Sequence, residues 1–237
     1  RNEKHATHQY IRARALALGK PILTWKAGNS AVGRAAAESH TASMTAGYEL
    51  YRTAFHEGGF IEISDVHELV DIALAFIGKR LPRGPNIAII TTSGGSAVLM
   101  ADECDRHGLR LPRLTDAAIS AIEEYAPKHC SLANPIDLTA QIGGDNESFN
   151  RIVEIALRDP NVDQLIVRYG MVQGASGADW ARGLAAIVAK AGKPVLVSLG
   201  RVPAAAAAAL EVLEKHDIPW VLTPTRTWAL PRWCFLP

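Results

Sequence analysis

The stretch Asn86-Ile87-Ala88-Ile89-Ile90-Thr91-Thr92-Ser93-Gly94-Gly95-Ser96 decides the fold of this chain. Residues 86–91 form a continuous, largely apolar run, which is typical of a strand buried on both faces of a parallel sheet. After the two glycines, residues 96–107 carry apolar side chains at the i, i+3, i+4, i+7 spacing of an amphipathic helix. The stretch therefore predicts a buried strand, a tight turn and a helix.

The rest of the chain after this stretch repeats the alternation of strand and helix. Further apolar runs predict strands at 109–114, 164–169, 194–199 and 218–222. Helical periodicity predicts helices at 116–125, 151–158, 178–191 and 203–216. Strands that are each followed by a helix form a parallel sheet covered on both faces. The predicted fold class is α/β, with a flavodoxin-like doubly wound parallel sheet.

Part of a second α/β domain precedes this sheet. Its predicted elements are a helix at 5–18, strands at 21–26 and 60–63, and a helix that Asp65 caps with Glu68 in a capping box. The segment 79–85 is basic and contains two prolines and a glycine, which indicates a domain linker. We therefore expect domains at 1–82 and 83–230, and a tail at 231–237 that marks a truncation end.

Composition excludes several classes of function. The 237 residues are 48% hydrophobic and 21% charged, with a formal net charge of +1, as in an ordinary globular protein. No cluster of Lys and Arg predicts a nucleic-acid surface, and no apolar stretch approaches the ~20 residues of a membrane span. The three cysteines lack C-x-x-C spacing, which favours a reducing, cytoplasmic location.

The turn at Thr92, Ser93, Gly94, Gly95 and Ser96 is a candidate phosphate-binding site. Its glycines allow backbone N–H groups to approach a ligand closely, and a helix start adds about half a positive charge. Neither G-x-G-x-x-G nor G-x-x-x-x-G-K-[ST] occurs, so no dinucleotide fold or P-loop is predicted. The alternative is a tight turn with Ser96 as the helix N-cap, and the sequence leaves both interpretations open.

His40 is the candidate nucleophile. It lies in Ser39-His40-Thr41, within a run of Gly, Ala, Ser and Thr that is typical of a loop presenting a side chain. Neutral imidazole is nucleophilic near pH 7 because its pKa lies there. A lone histidine is more often simply exposed or hydrogen-bonded, so the residue type alone does not decide. No second histidine follows at metal-ligand spacing, and no metal site is predicted.

Asn134 and Asp137 lie in Asn134-Pro135-Ile136-Asp137-Leu138-Thr139. These residue types form turns in which the side chains bond their own backbone. They would equally present an amide and a carboxylate at the carboxyl edge of the sheet, where ligands bind in this fold. We take them as candidate substrate-edge residues, with the turn as the alternative.

The order of these motifs resembles that of the NDP-forming acyl-CoA synthetases, the succinyl-CoA synthetase-like family that includes ADP-forming acetyl-CoA synthetase. The resemblance runs from about Lys20 to about Thr225. No single motif is specific to the family, but their combination is. The motifs are Lys20-Pro21, Lys26-Ala27-Gly28, Ser39-His40-Thr41, Tyr51-Arg52-Thr53-Ala54-Phe55, Thr92-Ser93-Gly94-Gly95 and 134–139.

The resemblance implies a phosphoryl relay. In this family a carboxylic acid is activated as an acyl phosphate, CoA displaces the phosphate, and a histidine carries the phosphoryl group to ADP or GDP. His40 occupies the position of that histidine. The phosphohistidine is held between two helix N-termini, and the helix after Ser93 matches one of them. The implied substrates are a small carboxylic acid, CoA, and ATP or ADP with Mg²⁺.

The resemblance also implies that parts are missing. Residues 1–82 correspond to the end of a ligase domain with the histidine, and 83–230 to a flavodoxin-like ligase domain. A CoA-binding domain is expected before Arg1, and an ATP-grasp domain after Pro237 or on another subunit. The incomplete first domain predicts exposed apolar surface and self-association into homo-oligomers. Without these parts the chain is expected to be inactive alone.

The chain departs from the family at one position, since Ala42 follows Thr41 where glycine is more common. The histidine is retained, so the departure concerns the geometry of the segment and not the nucleophile. Two alternatives belong to other classes of protein. One is a non-catalytic, ligand-sensing part of a protein lysine acetyltransferase of the same architecture, and the other is a generic flavodoxin-like binding domain.

Overall fold

A computed structural model describes residues 2–18, 20–41, 48–77, 80–170, 174–199 and 206–224. Ala42 and the predicted tail at 231–237 lie outside the described residues. The chain divides into two compact units, with the division between Val70 and Asp71. The domain boundary at 82/83 stays a prediction.

The first unit contains a short parallel pair of strands among helices. Its elements, with the helix that leads into the second unit, are α1 (Asn2–Leu18), β1 (Leu23–Trp25), α2 (Ala31–Thr41), α3 (Tyr48–Glu57), β2 (Ile61–Ile63) and α4 (Val66–Ile77). In the parallel pair, Leu23 lies opposite Ile61 and Trp25 opposite Ile63. The predicted strands are both present, each shorter than the sequence indicated.

Residues 31–41, which include His40, form a helix, so the prediction that His40 lies in a loop is wrong. His40 lies in the last turn of α2, while its side chain is outside the described part of the structure. Residues 35–38 are Ala-Ala-Ala-Glu, which are strong helix formers. Ser30 caps the start of the helix, because its hydroxyl accepts a hydrogen bond from the Gly33 N–H at 3.0 Å.

The start of α4 follows the predicted capping pattern in part. The Asp65 carboxylate accepts a hydrogen bond from the Glu68 N–H at 2.8 Å, as a helix cap does. The Glu68 carboxylate reaches back one residue further than in a capping box, because it accepts hydrogen bonds from both the N–H and the hydroxyl of Ser64.

The second unit is built on one parallel sheet. Its elements are β3 (Ile87–Thr91), α5 (Gly94–Arg106), α6 (Asp116–Glu123), β4 (Ile136–Asp137), α7 (Asn146–Arg158), β5 (Gln164–Arg168), α8 (Gly174–Ala191), β6 (Val195–Ser198), α9 (Ala207–Lys215) and β7 (Trp220–Val221). The strand order is β4-β3-β5-β6-β7, with every pairing parallel. This is the flavodoxin-like order 2-1-3-4-5, and the predicted fold class is confirmed.

One predicted strand is in the wrong place. Residues 109–114 contribute only a single bridge, between Arg110 and Asn86, and the second strand of the sheet is instead Ile136–Asp137. The apolar residues in 109–114 are explained by packing in the core and not by a strand: Leu109 and Leu114 are both buried.

Helices cover the sheet on both faces. Strand β3 alternates between them, with Ile87 and Ile89 on the face covered by α5, and Ala88 and Ile90 on the face covered by α6–α9. All five residues of β3 are buried. On the α5 face, burial raises the pKa of the Cys104 thiol to about 12, so this cysteine is a neutral core residue.

Asp159 links three elements at the amino edge of this sheet. It follows α7, is 2% exposed, and its carboxylate accepts hydrogen bonds from the N–H and the hydroxyl of Thr115 at 2.7 and 2.8 Å. Its carbonyl oxygen accepts a hydrogen bond from Lys193 Nζ at 2.7 Å. The residue thus joins the start of α6 to the segment before β6.

We predict that Asp159→Ala lowers the free energy of unfolding by about 2–4 kcal/mol, because the partly buried N–H and hydroxyl of Thr115 lose their acceptor. Asp179→Ala is the matched control: its carboxylate is 64% exposed and, within the described ranges, pairs with Arg182 alone, on the same helix. The control is expected to cost less than about 1 kcal/mol. Urea denaturation followed by circular dichroism measures both, and equal stabilities for the two variants would contradict the assignment.

Candidate functional site

The candidate site lies at the carboxyl edge of the five-stranded sheet. The chain order of the strands reverses between β3 and β5, and ligands bind at such a switch point in open α/β sheets. The turn from Thr92 to Ser96 follows β3 at this point. The Gly170 N–H, just after β5, donates a hydrogen bond to Thr92 Oγ1 at 3.4 Å. The predicted phosphate-binding turn therefore lies at the switch point.

Helix α5 begins at Gly94, two residues earlier than the sequence predicted. Ser93 is the N-cap and has an extended backbone, with φ −149° and ψ 111°. Its hydroxyl accepts a long hydrogen bond of 3.5 Å from the Ser96 N–H. Thr91 supports the turn because its Oγ1 accepts a hydrogen bond from the Ser93 N–H at 3.0 Å. Ser93, and not Ser96, is thus the residue that caps the helix.

The first two N–H groups of α5 are available to a ligand. Within the described ranges, no acceptor bonds the N–H of Gly94 or of Gly95, and both glycines are exposed. The helix is 13 residues long, so its N-terminus carries a partial positive charge of about half an elementary charge. Two donors and this charge are the elements of an anion site.

Asp137 lies beside this helix start. It pairs with Thr91 in the sheet, and its Oδ2 would be only 2.8 Å from a Cβ built on Gly94. Its Oδ1 accepts a hydrogen bond from the Thr139 N–H at 3.0 Å. Thr139 has a φ of 58° and ψ of 173°, which is strained for a β-branched residue. Asp137 therefore lies at the carboxyl edge, as the sequence predicted.

Asn134 lies further back along β3. Its Oδ1 accepts a hydrogen bond from the Ile89 N–H at 3.0 Å, and its Nδ2 donates to the carbonyl oxygens of Ile87 and Pro112 at 2.8 and 3.0 Å. The amide thus extends the ladder of β3 beyond the two residues of β4. A substrate contact by Asn134 stays a prediction, and its present contacts are with the main chain.

The register of the sheet adds two residues that the sequence analysis missed. Arg168 at the end of β5 lies opposite Thr91, and Ser198 at the end of β6 lies opposite Arg168. With Asp137 on the other side of Thr91, four polar residues lie abreast on neighbouring strands; we call Asp137, Thr91, Arg168 and Ser198 the polar row. The signal in the sequence that could have identified Arg168 and Ser198 was a polar residue directly after the apolar run of each strand.

His40 lies in the first unit, and the described residues do not include its side chain. Its role as a nucleophile therefore stays a prediction. In the described part of the chain, no group of three His, Cys, Asp or Glu side chains comes together as metal ligands. Nor does any described helix have the length and apolar character needed to cross a membrane.

Two family models match the chain. The model described as a succinyl-CoA ligase like flavodoxin domain matches residues 5–76, and the model described as a Ligase-CoA domain matches residues 87–226. The second match covers more than half of the 237 residues. It begins at β3 and continues beyond β7, so it contains the whole polar row.

Curated relatives and solved structures agree with these matches. The chain is 36% identical over 204 residues to the acetate–CoA ligase (ADP-forming) II subunit alpha of Pyrococcus furiosus, covering 84% of this chain and 44% of the relative. It is 40% identical over 151 residues to the acetate–CoA ligase (ADP-forming) I of Archaeoglobus fulgidus, covering 64% of this chain and 22% of the relative.

Among solved structures, the chain matches acetyl-coenzyme A synthetase 1 of Ca. Korarchaeum cryptofilum, a dinucleotide forming enzyme solved in complex with phosphate and ADP. The TM-score is 0.80 at 30% identity, covering 92% of this chain and 47% of the other. The chain thus spans less than half the length of each of these three proteins.

We predict that Gly94→Ala is less stable than Gly95→Ala. A Cβ at Gly94 meets Asp137 Oδ2 at 2.8 Å, whereas a Cβ at Gly95 meets nothing within 4 Å. Alanine also has the higher helix propensity, so Gly95→Ala is expected to be neutral or to stabilise by up to about 1 kcal/mol. Urea denaturation compares the two variants. Equal stability would contradict the expectation that the Asp137 carboxylate, which accepts a hydrogen bond from the Thr139 N–H, resists displacement.

Proposed function

This chain belongs to the NDP-forming acyl-CoA synthetase family, and on that premise we propose that it is part of an enzyme that interconverts a carboxylic acid, CoA and NTP with acyl-CoA, NDP and phosphate. The observation that carries the proposal is the start of α5. It presents a helix dipole and two N–H groups that have no acceptor among the described residues, at the switch point of the sheet and within the segment matched by the Ligase-CoA domain model.

The start of α5 suits phosphoryl chemistry in particular. A phosphoryl group in transfer carries its charge on oxygen atoms and needs little covalent help from the protein. Positioned N–H donors stabilise that charge without having to reorganise during the reaction. We therefore assign Thr92, Ser93, Gly94, Gly95 and Ser96 to binding phosphate or the phosphate of an acyl phosphate.

His40 is the proposed phosphoryl carrier. In the direction of nucleotide synthesis, inorganic phosphate displaces CoA from the acyl-CoA, which gives an acyl phosphate and free CoA. An imidazole nitrogen then attacks the phosphorus, and the bond from phosphorus to the acyl oxygen breaks to release the carboxylate. The phosphoryl group is next transferred from the imidazole to NDP. Support for this role comes from the residue type in the Ser39-His40-Thr41 motif and from the family membership.

The remaining parts of the reaction belong to other domains or subunits in this proposal. CoA, and ATP or ADP with Mg²⁺, are bound by a CoA-binding domain and an ATP-grasp domain. The acid is a small carboxylic acid, in keeping with the acetate named for the relatives. The described cysteines, Cys104 and Cys130, are free thiols, which supports a cytoplasmic location. The chain by itself then binds anions but completes no turnover.

We predict that His40 becomes phosphorylated. The chain, in the polypeptide or complex that also contains its nucleotide-binding domain, is given γ-labelled ATP and Mg²⁺. The expected product is a single phosphohistidine, labile in acid and stable in base, located by mass spectrometry of the labelled peptide.

Two variants control the labelling experiment. His40→Ala is expected to remove the label and the synthetase activity together. His56→Ala changes an exposed histidine in the last turn of α3 and is expected to retain both. A His40→Ala protein that is still labelled would rule out His40 as the carrier, whatever its effect on turnover.

A further inference from the structure

The polar row faces α5. On β3, β5 and β6, the residues that precede the row are Ile90, Val167 and Val197, and all three pack into the core under α6–α9. Successive strand residues point to opposite faces, so Thr91, Arg168 and Ser198 project from the face that α5 covers. The row is therefore the last layer of that face, immediately below the first turn of α5.

Arg168 lies against that first turn. Its Nε donates a weak hydrogen bond of 3.4 Å to Ser96 Oγ, and its Nη1 donates to the Leu199 carbonyl oxygen at 3.0 Å. A guanidinium has five N–H donors, so three have no acceptor among the described residues. The side chain is partly buried, and nothing in the described ranges forms an ion pair with it.

The charge of Arg168 is not neutralised by the carboxylate in the row. Asp137 lies two strands away, which is about 10 Å at the ordinary spacing of strands. Burial lowers the pKa of the Arg168 guanidinium, and no neighbouring carboxylate offsets the effect. A partly desolvated cation without a partner is costly, and an anion bound beside it would remove that cost.

Ser198 supplies an independent observation. Its side chain is fully buried, with an exposure of 0%, and its Oγ has no hydrogen-bond partner among the residues that the structure describes. Buried hydroxyl groups are nearly always hydrogen-bonded, so an orphaned one calls for an explanation. Ser198 is the register partner of Arg168, about 5 Å away between Cα atoms, and it projects from the same face. An acceptor beside Arg168 would satisfy both side chains.

We propose that Arg168 and Ser198 form a subsite for an oxyanion, the carboxylate or phosphate group of the small substrate, next to the first turn of α5. This inference rests on the proposed function and names residues that recognise its substrate. The guanidinium donates two parallel hydrogen bonds to the oxyanion, and the Ser198 hydroxyl donates a third. Arg168 also positions β5 against β6 through its bond to Leu199, so the test must separate binding from structure.

The test measures anion binding by the 237-residue chain without nucleotide. Isothermal titration uses inorganic phosphate and acetate as separate probes. Arg168→Gln is expected to weaken binding by about 10- to 100-fold, because a charge-assisted pair is lost. Ser198→Ala is expected to weaken it by about 3- to 10-fold. Arg182→Gln, which alters an exposed arginine on α8, is the matched control and is expected to bind as the unmodified chain does.

Urea denaturation of Ser198→Ala separates binding from structure. A buried hydroxyl without a partner destabilises the fold, so replacing it by alanine should leave stability unchanged or raise it while anion binding falls. A purely structural serine would not show this combination. Arg168→Lys keeps the charge but loses the planar fork, so it is expected to bind more tightly than Arg168→Gln and less tightly than the unmodified chain.

The outcomes are distinct. Weakened binding of phosphate alone identifies a phosphoryl subsite, and weakened binding of acetate alone identifies a carboxylate subsite. Unchanged affinity in Arg168→Gln and Ser198→Ala, or no binding of either anion by the unmodified chain, overturns the inference. Because these measurements do not involve His40, a labelled His40 with an unaffected Arg168 variant would refute the subsite alone. An unlabelled His40 together with weakened anion binding by Arg168→Gln would refute the phosphoryl relay alone.

Discussion

The hydrogen bonding of β3 to a strand on each side is the constraint on which the rest of the second unit depends. The strand is completely buried, with β4 on one side and β5 on the other. A shift of one residue in either pairing would turn the partner's side chains to the opposite face. The register thus decides that Asp137, Thr91 and Arg168 end their strands together, below the same helix start.

The two sides of the turn that precedes α5 carry opposite charges. Asp137 lies beside Gly94 at one side of the turn, and Arg168 lies beside Ser96 at the other. The dipole of α5 stabilises a negative charge near both positions. The position near Asp137 already has a carboxylate, whereas the position near Arg168 has a positive charge and three N–H groups that have no acceptor among the described residues. An incoming anion is therefore attracted to the Arg168 side and repelled from the Asp137 side.

Two polar side chains, the partly buried Asn134 and the fully buried Ser198, show how a structural role differs from the proposed ligand-binding role. Asn134 has both its amide oxygen and its amide nitrogen bonded to main-chain groups, and it lengthens the pairing of β3. Ser198 has no hydrogen-bond partner in the described part of the chain, although it is more deeply buried. A buried polar group that is satisfied within the chain stabilises the fold, and one that is not satisfied calls for an explanation, which at Ser198 is the proposed anion. Asn134 is a candidate from sequence because of its residue type and position, whereas its hydrogen bonds to the main chain become visible only in the tertiary structure.

The amino-acid sequence by itself determined the α/β class, the buried strand at β3 and the glycine-containing helix start that follows it. These features depend on neighbours in the chain: apolar runs, helical periodicity and the freedom of glycine. Local signals were insufficient for His40, since helix propensity outweighed the loop character of the small residues. They were also insufficient at Leu109 and Leu114, because buried residues outside a strand can give the same apolar sequence pattern as a strand. The tertiary structure alone decided that β4 forms at Ile136–Asp137 and that Arg168 and Ser198 join Thr91 at one edge, because pairing between strands distant in sequence brings these residues together.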